Sequence, residues 1–438
     1  MFSNLTVNEA GHLVIGGCDV VTLAERFGTP LQILDEGAIR ARCRAYHDAL
    51  RRHCAGAQGY RVLYAGKAFL TTGMCRLVAQ EDLCLDVVSG GELATALAAG
   101  FSAERIYFHG NNKSVWEIDM GVSAGVSRFV VDSFDEIDRL ARAAERAGKS
   151  IDVQVRVTPG IKPSTHSYIQ TGQLDSKFGF SIGNGMAREA IARVLATAGL
   201  ELRGLHCHIG SQIHEINAFG AGARSVVALI AEVHRLTGYL PEELNLGGGL
   251  GIAYLPEDSP PSVDAYLALL VGAVREAWQP LGAPLPTVLV EPGRSIVGEA
   301  GTTLYSIGTI KNIPGVRIYA SVDGGMTDNP RAALYQARYH GRLANRMHDP
   351  VEEKVAICGK CCETGDMIAW DMPLPSPRRG DLLATFSTGA YHYAMSSNYN
   401  RLPRIPIILV HDGEADVLVR GETFDDLIRN DEIPAHLK

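Results

Sequence analysis

The sequence lacks any long uninterrupted hydrophobic run: stretches such as Leu267–Val274 are far too short to span a bilayer, although 46% of the 438 residues are hydrophobic. It also lacks a basic excess. With 41 lysines and arginines against 49 acidic residues, the net charge is −8, which leaves no electrostatic footprint for nucleic acid or an anionic membrane. The opening stretch MFSNLTVNEAGHLVI has no basic region followed by an apolar one, so the chain reads as cytoplasmic. A disulfide framework is missing too. Nine cysteines (Cys18, Cys43, Cys54, Cys75, Cys84, Cys207, Cys358, Cys361, Cys362) are an odd, scattered count and read as thiols. No internal repeat or low-complexity segment is present. These absences point to a chain of two-domain length whose partner is a small molecule.

Between about residue 60 and residue 294, short apolar or β-branched runs alternate with amphipathic stretches, the signature of a parallel α/β architecture. Eight runs read as strands: RVLYAGK from Arg61, CLDVVSG from Cys84, RIYFHG from Arg105, RFVVDS from Arg128, IDVQVRV from Ile151, LRGLHCHIG from Leu202, ELNLGGG from Glu243 and TVLVEPGR from Thr287. Eight such strands with helices between them predict an α/β fold, a (β/α)8 TIM-like barrel. GELATALAAG and SFDEIDRLARAAERAGK read as two of the helices, with Gly148 as the stop of the second. The stretch TPGIKPSTHSYIQTGQLDSKFGF after the fifth strand is long and polar for a βα connection, and is expected to cover part of the active-site mouth. From Gly301 onward, period-two runs such as TTLYSIGTIKNI, EKVAICG, DLLATFS and PIILVHDG predict a C-terminal β-rich domain. The first 35 residues resemble strands around one short helix and are expected to join it. The division expected is therefore 36–294 for the barrel, with 1–35 and 295–438 for the β-rich domain.

Chemically unusual residues gather at the C-terminal ends of the eight strands, where barrel active sites lie. They are Lys67, Asp86 and Ser89, Arg156, His208, Gly247 to Gly249, and Glu291 to Arg294. The small or apolar flanks of Lys67 (Ala65, Gly66, Ala68, Phe69) favour partial burial, which lowers a lysine's pKa toward the range a carbonyl-reactive amine needs. NLGGGLGI is not a dinucleotide fingerprint, because the G-x-G-x-x-G spacing is absent. A tight turn explains it, and so does a phosphate cradle of backbone N–H groups. In EPGR, a surface ion pair is the plain reading, but Glu291 follows the buried run TVLV and could hold a pyridine nitrogen protonated. His208 could be a core histidine; Gly210 and Ser211 beside it favour a ligand face.

The ordered series YAGKAF, DVVSGGEL, FHGNNKS, DSKFGF, HCHIGSQ, NLGGGLGI, EPGRS, GKCCETGD and GAYHYAMSSNYN resembles the barrel-fold pyridoxal-phosphate-dependent decarboxylases and covers nearly the whole chain. FHGNNKS, DSKFGF and CCETGD resemble the diaminopimelate branch more than the ornithine or arginine one. The resemblance implies pyridoxal 5'-phosphate as cofactor, held covalently by Lys67, with His208 stacked on its ring and Glu291 on its ring nitrogen. It implies Asp86, Arg156, Ser211, Gly247, Gly248, Gly249, Gly293, Arg294 and Tyr391 as further cofactor contacts. For the substrate it implies Arg294, Arg331 and Tyr335 on a distal carboxylate, Glu363 on a distal ammonium, Tyr391 touching cofactor and substrate, and Cys362 as proton donor. Phe69 stands where the family commonly has asparagine, Thr364 where it has serine, and Leu402 interrupts its arginine-proline run.

The activity so implied is decarboxylation of meso-2,6-diaminopimelate to L-lysine by a homodimer with shared active sites. Rival readings are a decarboxylase of ornithine, arginine, a D-amino acid or a carrier-bound substrate, an amino-acid racemase, and a non-catalytic cofactor-binding protein. Arg331 with Glu363 argues against a simple diamine precursor, and CCETG against the racemase. The β-rich domain argues against the third. Cys358 and Cys361 form a C-x-x-C pair, but structural zinc needs four ligands and no second pair follows, so no metal is expected.

Overall fold

The computed structural model describes residues 4–161 and 176–438; residues 162–175, most of the long polar stretch after the fifth strand, lie outside them. The chain divides into two compact units, one of residues 40–252 and 259–296, the other of 4–39, 253–258 and 297–438.

The first unit is the closed barrel. Its strands are β1 (Tyr60–Ala65), β2 (Cys84–Val87), β3 (Ile106–Phe108), β4 (Arg128–Val131), β5 (Ile151–Thr158), β6 (Leu200–Cys207), β7 (Glu243–Asn245) and β8 (Thr287–Val290). Each pairs in parallel with the next, and β8 returns to β1 through Val288 opposite Tyr60. All eight strands read from the sequence are present. The two helices are also found, at Gly90–Ala98 and Phe134–Ala147, and the second ends on Gly148 in the left-handed conformation at φ 63°. Serines placed directly after strands start them: Ser89 and Ser133 each accept the N–H three residues on, satisfying an otherwise orphaned helix donor. Strand alternation turns Val62, Tyr64, Val288 and Val290 to one side and Leu63, Ala65, Leu289 and Glu291 to the other. In the bore, Leu63, Tyr107 and Leu289 pack as a small apolar cluster.

In the second unit the long strand β9 (Gly301–Ile313) is shared by two packed layers. Leu304 faces a core with Leu13, Ile15, Leu23, Ile33 and Ile408, while Tyr305 and Ile307 face one with Val322, Val355, Ile357 and Leu374. It pairs with β10 (Arg317–Val322), which pairs in parallel with β12 (Glu353–Cys358), itself antiparallel to β13 (Met367–Leu374). Between these in sequence, β11 (Gly341–Leu343) pairs with β14 (Leu382–Phe386), which also pairs with β9. The N-terminal strand Leu31–Asp35 lies between β9 and β15 (Ile407–His411), and β16 (Glu414–Val419) closes that edge. No helix among the described residues is long and apolar enough to cross a membrane.

Candidate active site

Glu291 follows β8 directly and is buried inside the barrel, its two oxygens facing one side-chain amide and two imidazoles. Asn245 Nδ2 donates to Oε1 at 2.7 Å, His109 Nε2 approaches the same oxygen at 2.9 Å, and His206 Nε2 lies 3.1 Å from Oε2. Burial alone would push its pKa up, but His109 and His206 together outweigh that and hold it well below the usual carboxylate range. The result is an ionised carboxylate in a closed interior. Asp86 on β2, 3.8 Å from His109, behaves oppositely: burial dominates and raises its pKa, with Glu291 adding to the effect.

The imidazoles are set edge to face, centroids 4.8 Å apart. His109, His206 and Glu291 bring three nitrogen and oxygen atoms within 4.8 Å of one another, and two of them, His206 Nε2 and Glu291 Oε2, already share a hydrogen bond. Neither histidine was singled out from sequence. The available signal was strand parity, since His206 is two residues before His208 on β6 and must point the same way.

His208 is half-buried just past β6 and accepts the Gly248 N–H on Nδ1 at 3.3 Å. Burial first, then the positive charges of Lys67 and Arg156, hold its pKa well below the ordinary value, so the ring is neutral with its proton on Nε2. Lys67 and Glu291 both act electrostatically on Asp86 and on His208, which places the four in one site. Arg156 lies 3.7 Å from Asp132 and covers the ring of Phe178 at 4.6 Å. Arg294 Nη2 donates to Ser211 Oγ at 2.9 Å.

The expected burial of Lys67 is corrected. Lys67 rides on a single 3-10 turn, Gly66–Ala68, and is exposed while Gly66, Ala68 and Phe69 are buried. Its small neighbours serve a different need: a Cβ on Gly293 would sit 3.0 Å from the Cβ atoms of both Ala65 and Ala68. They let two backbones approach and leave the lysine on the rim.

The tight-turn reading of the glycine run is the one that the crowding around it supports. A Cβ on Gly248 would lie 2.0 Å from the Glu291 carbonyl oxygen, and one on Gly247 2.4 Å from that of Cys207, so close packing alone demands glycine. The Gly247 N–H donates to Asn245 Oδ1 and that of Gly248 to His208.

The β-rich unit carries the other candidates. Arg331 is buried, donating to the hydroxyls of Tyr254 at 2.8 Å and Tyr339 at 3.1 Å, with Tyr335 under its guanidinium. Tyr254 and Tyr339 were not anticipated. Tyr391 adopts φ 62°, a left-handed backbone unusual for an aromatic residue and a mark of local constraint. Cys362 and Glu363 are exposed at the tip of a turn anchored from below: Asp366 accepts the N–H groups of Cys361 and Met326 at 2.8 and 2.7 Å, and Asn400 accepts that of Cys362 at 2.7 Å.

The residues present fit a phosphorylated pyridoxal. The barrel supplies an ionised acceptor for a ring nitrogen, a neutral imidazole for a ring face, a rim lysine for an aldehyde, and a glycine turn too tight for any side chain. The family described as pyridoxal-dependent decarboxylase, pyridoxal binding domain, matches residues 36–298. The chain is 48% identical to a diaminopimelate decarboxylase of Bacillus subtilis, over 97% of this chain and 96% of that one, and 45% identical to one of Mycobacterium tuberculosis over the same shares. Among solved structures, a diaminopimelate decarboxylase of M. jannaschii superposes with a TM-score of 0.93 at 34% identity, covering 99% of both chains. The same enzyme in complex with L-lysine gives 0.91 at 34% identity, over 100% of this chain and 99% of that one.

Proposed function

Because the chain belongs to the diaminopimelate decarboxylase branch of the pyridoxal-dependent decarboxylases, we propose specific roles in that chemistry for its own residues. The reaction removes one carboxylate of meso-2,6-diaminopimelate as CO2 and leaves L-lysine. Pyridoxal phosphate, when bound, supplies an electron sink for the pair left by the broken carbon–carbon bond.

Lys67 Nζ would hold the cofactor and give way to the substrate's α-amine. Glu291 would keep the ring nitrogen protonated, and the neutral His208 would take the ring face without competing for that proton. Ser211, the glycine turn Gly247–Gly249 and the backbone of Gly293 and Arg294 take the phosphate. Asp86, Arg156 and Tyr391 complete the cofactor contacts. The distal end of the substrate is read by Arg294, Arg331 and Tyr335 through its carboxylate and by Glu363 through its ammonium, a pattern selecting a diamino diacid. Cys362 Sγ delivers a proton to the carbon that has lost its carboxylate.

Cys362 and Glu363 belong to the second unit, and the reading extends to a homodimer in which this pair serves the barrel of the other copy. It also extends to a cytoplasmic enzyme with domain limits at 36–294 and at 1–35 with 295–438. The observation that carries the site assignment is Glu291, a carboxylate kept ionised within the barrel by His109 and His206 beside it.

Two measurements test the assignment. Incubation with meso-diaminopimelate should yield lysine and CO2 in equal amounts, whereas ornithine and arginine should be left unchanged. Borohydride reduction of the yellow holoenzyme should bleach it and leave the phosphopyridoxyl group on the peptide carrying Lys67. Label on another lysine would overturn the role given to Lys67.

A further inference from the structure

Beneath Glu291, beside the apolar cluster of Leu63, Tyr107 and Leu289, a file of polar side chains runs through the barrel bore with its hydrogen bonds in one direction. At the floor, Glu243 accepts from Arg61 Nη1 at 3.0 Å and from Arg128 through Nη2 at 3.0 Å and Nε at 3.1 Å. A carboxylate held by two guanidinium groups is an acceptor only. Gln154 therefore has to turn its amide nitrogen toward it, and Nε2 donates to Glu243 Oε2 at 2.8 Å. This leaves Gln154 Oε1 to accept Asn245 Nδ2 at 3.3 Å, while the same Asn245 nitrogen donates to Glu291 Oε1 at 2.7 Å. Asn245 Oδ1 is occupied by the Gly247 N–H at 3.1 Å, so the amide has no reason to flip. Gln154 and Asn245 are both 0% exposed, which makes an unmatched donor or acceptor here costly.

We propose that Gln154 and Asn245 are positioning residues that fix Glu291 as an acceptor for the cofactor's ring nitrogen, their amide polarity being dictated from the barrel floor by Arg61, Arg128 and Glu243. The inference rests on the assignment of Glu291 to that nitrogen. Two floor cations create an anionic acceptor, each amide passes the polarity on, and the last N–H stabilises the ionised form of Glu291.

Asn245→Asp changes little in shape but sets a carboxylate against Glu291, and the pair must then hold a proton. Gln154→Met keeps the volume and removes the amide that orients Asn245. Apoproteins of wild type, both variants and Glu291→Gln would be titrated with pyridoxal 5'-phosphate and with its 1-deaza analogue, in which C–H replaces the ring nitrogen. The readout is the ratio of the two dissociation constants, together with the 15N shift of labelled bound cofactor, which reports whether that nitrogen is protonated. Wild type should prefer the natural cofactor. Asn245→Asp should lower that preference by about tenfold, the effect of one unit of proton affinity, and shift the nitrogen toward its neutral signal. Gln154→Met should lower it severalfold in the same direction.

If both variants weaken the two ligands equally, the file is packing and the proposal is wrong. If Glu291→Gln alone loses the preference, Glu291 meets the ring nitrogen but the amides do not position it. Full preference retained in Glu291→Gln would instead overturn the assignment of Glu291. Circular dichroism checks folding, and the uncharged Gln154→Met decides the matter if Asn245→Asp does not fold.

Discussion

His109 and His206 flank one carboxylate yet titrate in opposite senses. Burial disfavours charge on both, but at His109 the carboxylates of Asp86 and Glu291 outweigh it and raise the pKa; at His206 burial wins and lowers it to about 4. An unfolded histidine takes its proton near 6.5 and the folded His206 only near 4, so in that window the unfolded chain binds more protons and stability falls as pH falls. Relative to His206→Gln, the wild-type apoprotein should lose up to about 3 kcal/mol between pH 6.5 and 4, measured by urea unfolding across that range. Parallel curves would contradict the assignment. Cysteine reactivity offers a second residue-scale test. Cys43, Cys75, Cys207 and Cys361 are pushed up to about 12 by burial, and Cys362 is the cysteine that is exposed. Iodoacetamide should label Cys362 first in the folded protein, and Cys362→Ser should remove the fast phase. Glu291 and His208 were legible in sequence because each directly follows a strand, at the end where barrel active sites lie. His109, His206, Gln154 and Asn245 were not, since their meaning lies in partners on other strands across the bore, and Lys67 was misjudged because its small flanks answer to Gly293.

At the scale of elements, the glycine turn after β7 is fixed by backbone crowding. Gly248→Ala would force its Cβ to 2.0 Å from the carbonyl oxygen of Glu291, part of a backbone that itself carries the site. A loss of about 1–3 kcal/mol or more in urea unfolding is expected, with weakened cofactor binding. Gly272 provides the contrast, lying inside the helix Val263–Trp278 with nothing within 4 Å of its would-be Cβ. Gly272→Ala should stabilise the protein by up to about 1 kcal/mol by helix propensity alone. The eight barrel strands were readable because parallel strands, covered on both faces, appear as short apolar runs with polar residues at one end. The order of strands in the β-rich unit was not. Its partners, such as Leu31–Asp35 and Ile407–His411, are joined by long-range pairing that no local pattern encodes.

For the whole molecule, the proposed shared site makes a quantitative prediction. Lys67→Ala and Cys362→Ala chains should each be nearly inactive alone, but a mixed dimer would have one site with both defects and one with neither. Random reassortment of equal amounts makes about half the dimers mixed, so about a quarter of wild-type activity should return. No recovery, with mixed dimers seen by mass spectrometry, would mean that Cys362 serves its own barrel. The connectivity of the chain has a consequence for its synthesis. Residues 40–296 contain all the barrel's strands and can pair as they leave the ribosome. Leu31–Asp35, whose five residues are all buried in the finished protein, emerges earlier but must wait for β9 and, roughly 370 residues later, for β15. At about 5–20 residues per second, that is about 20–75 s as an open apolar edge. Chains released after residue 296 should therefore show a protease-resistant barrel with a cleavable N-terminal segment, and that segment is where a chaperone would have to bind.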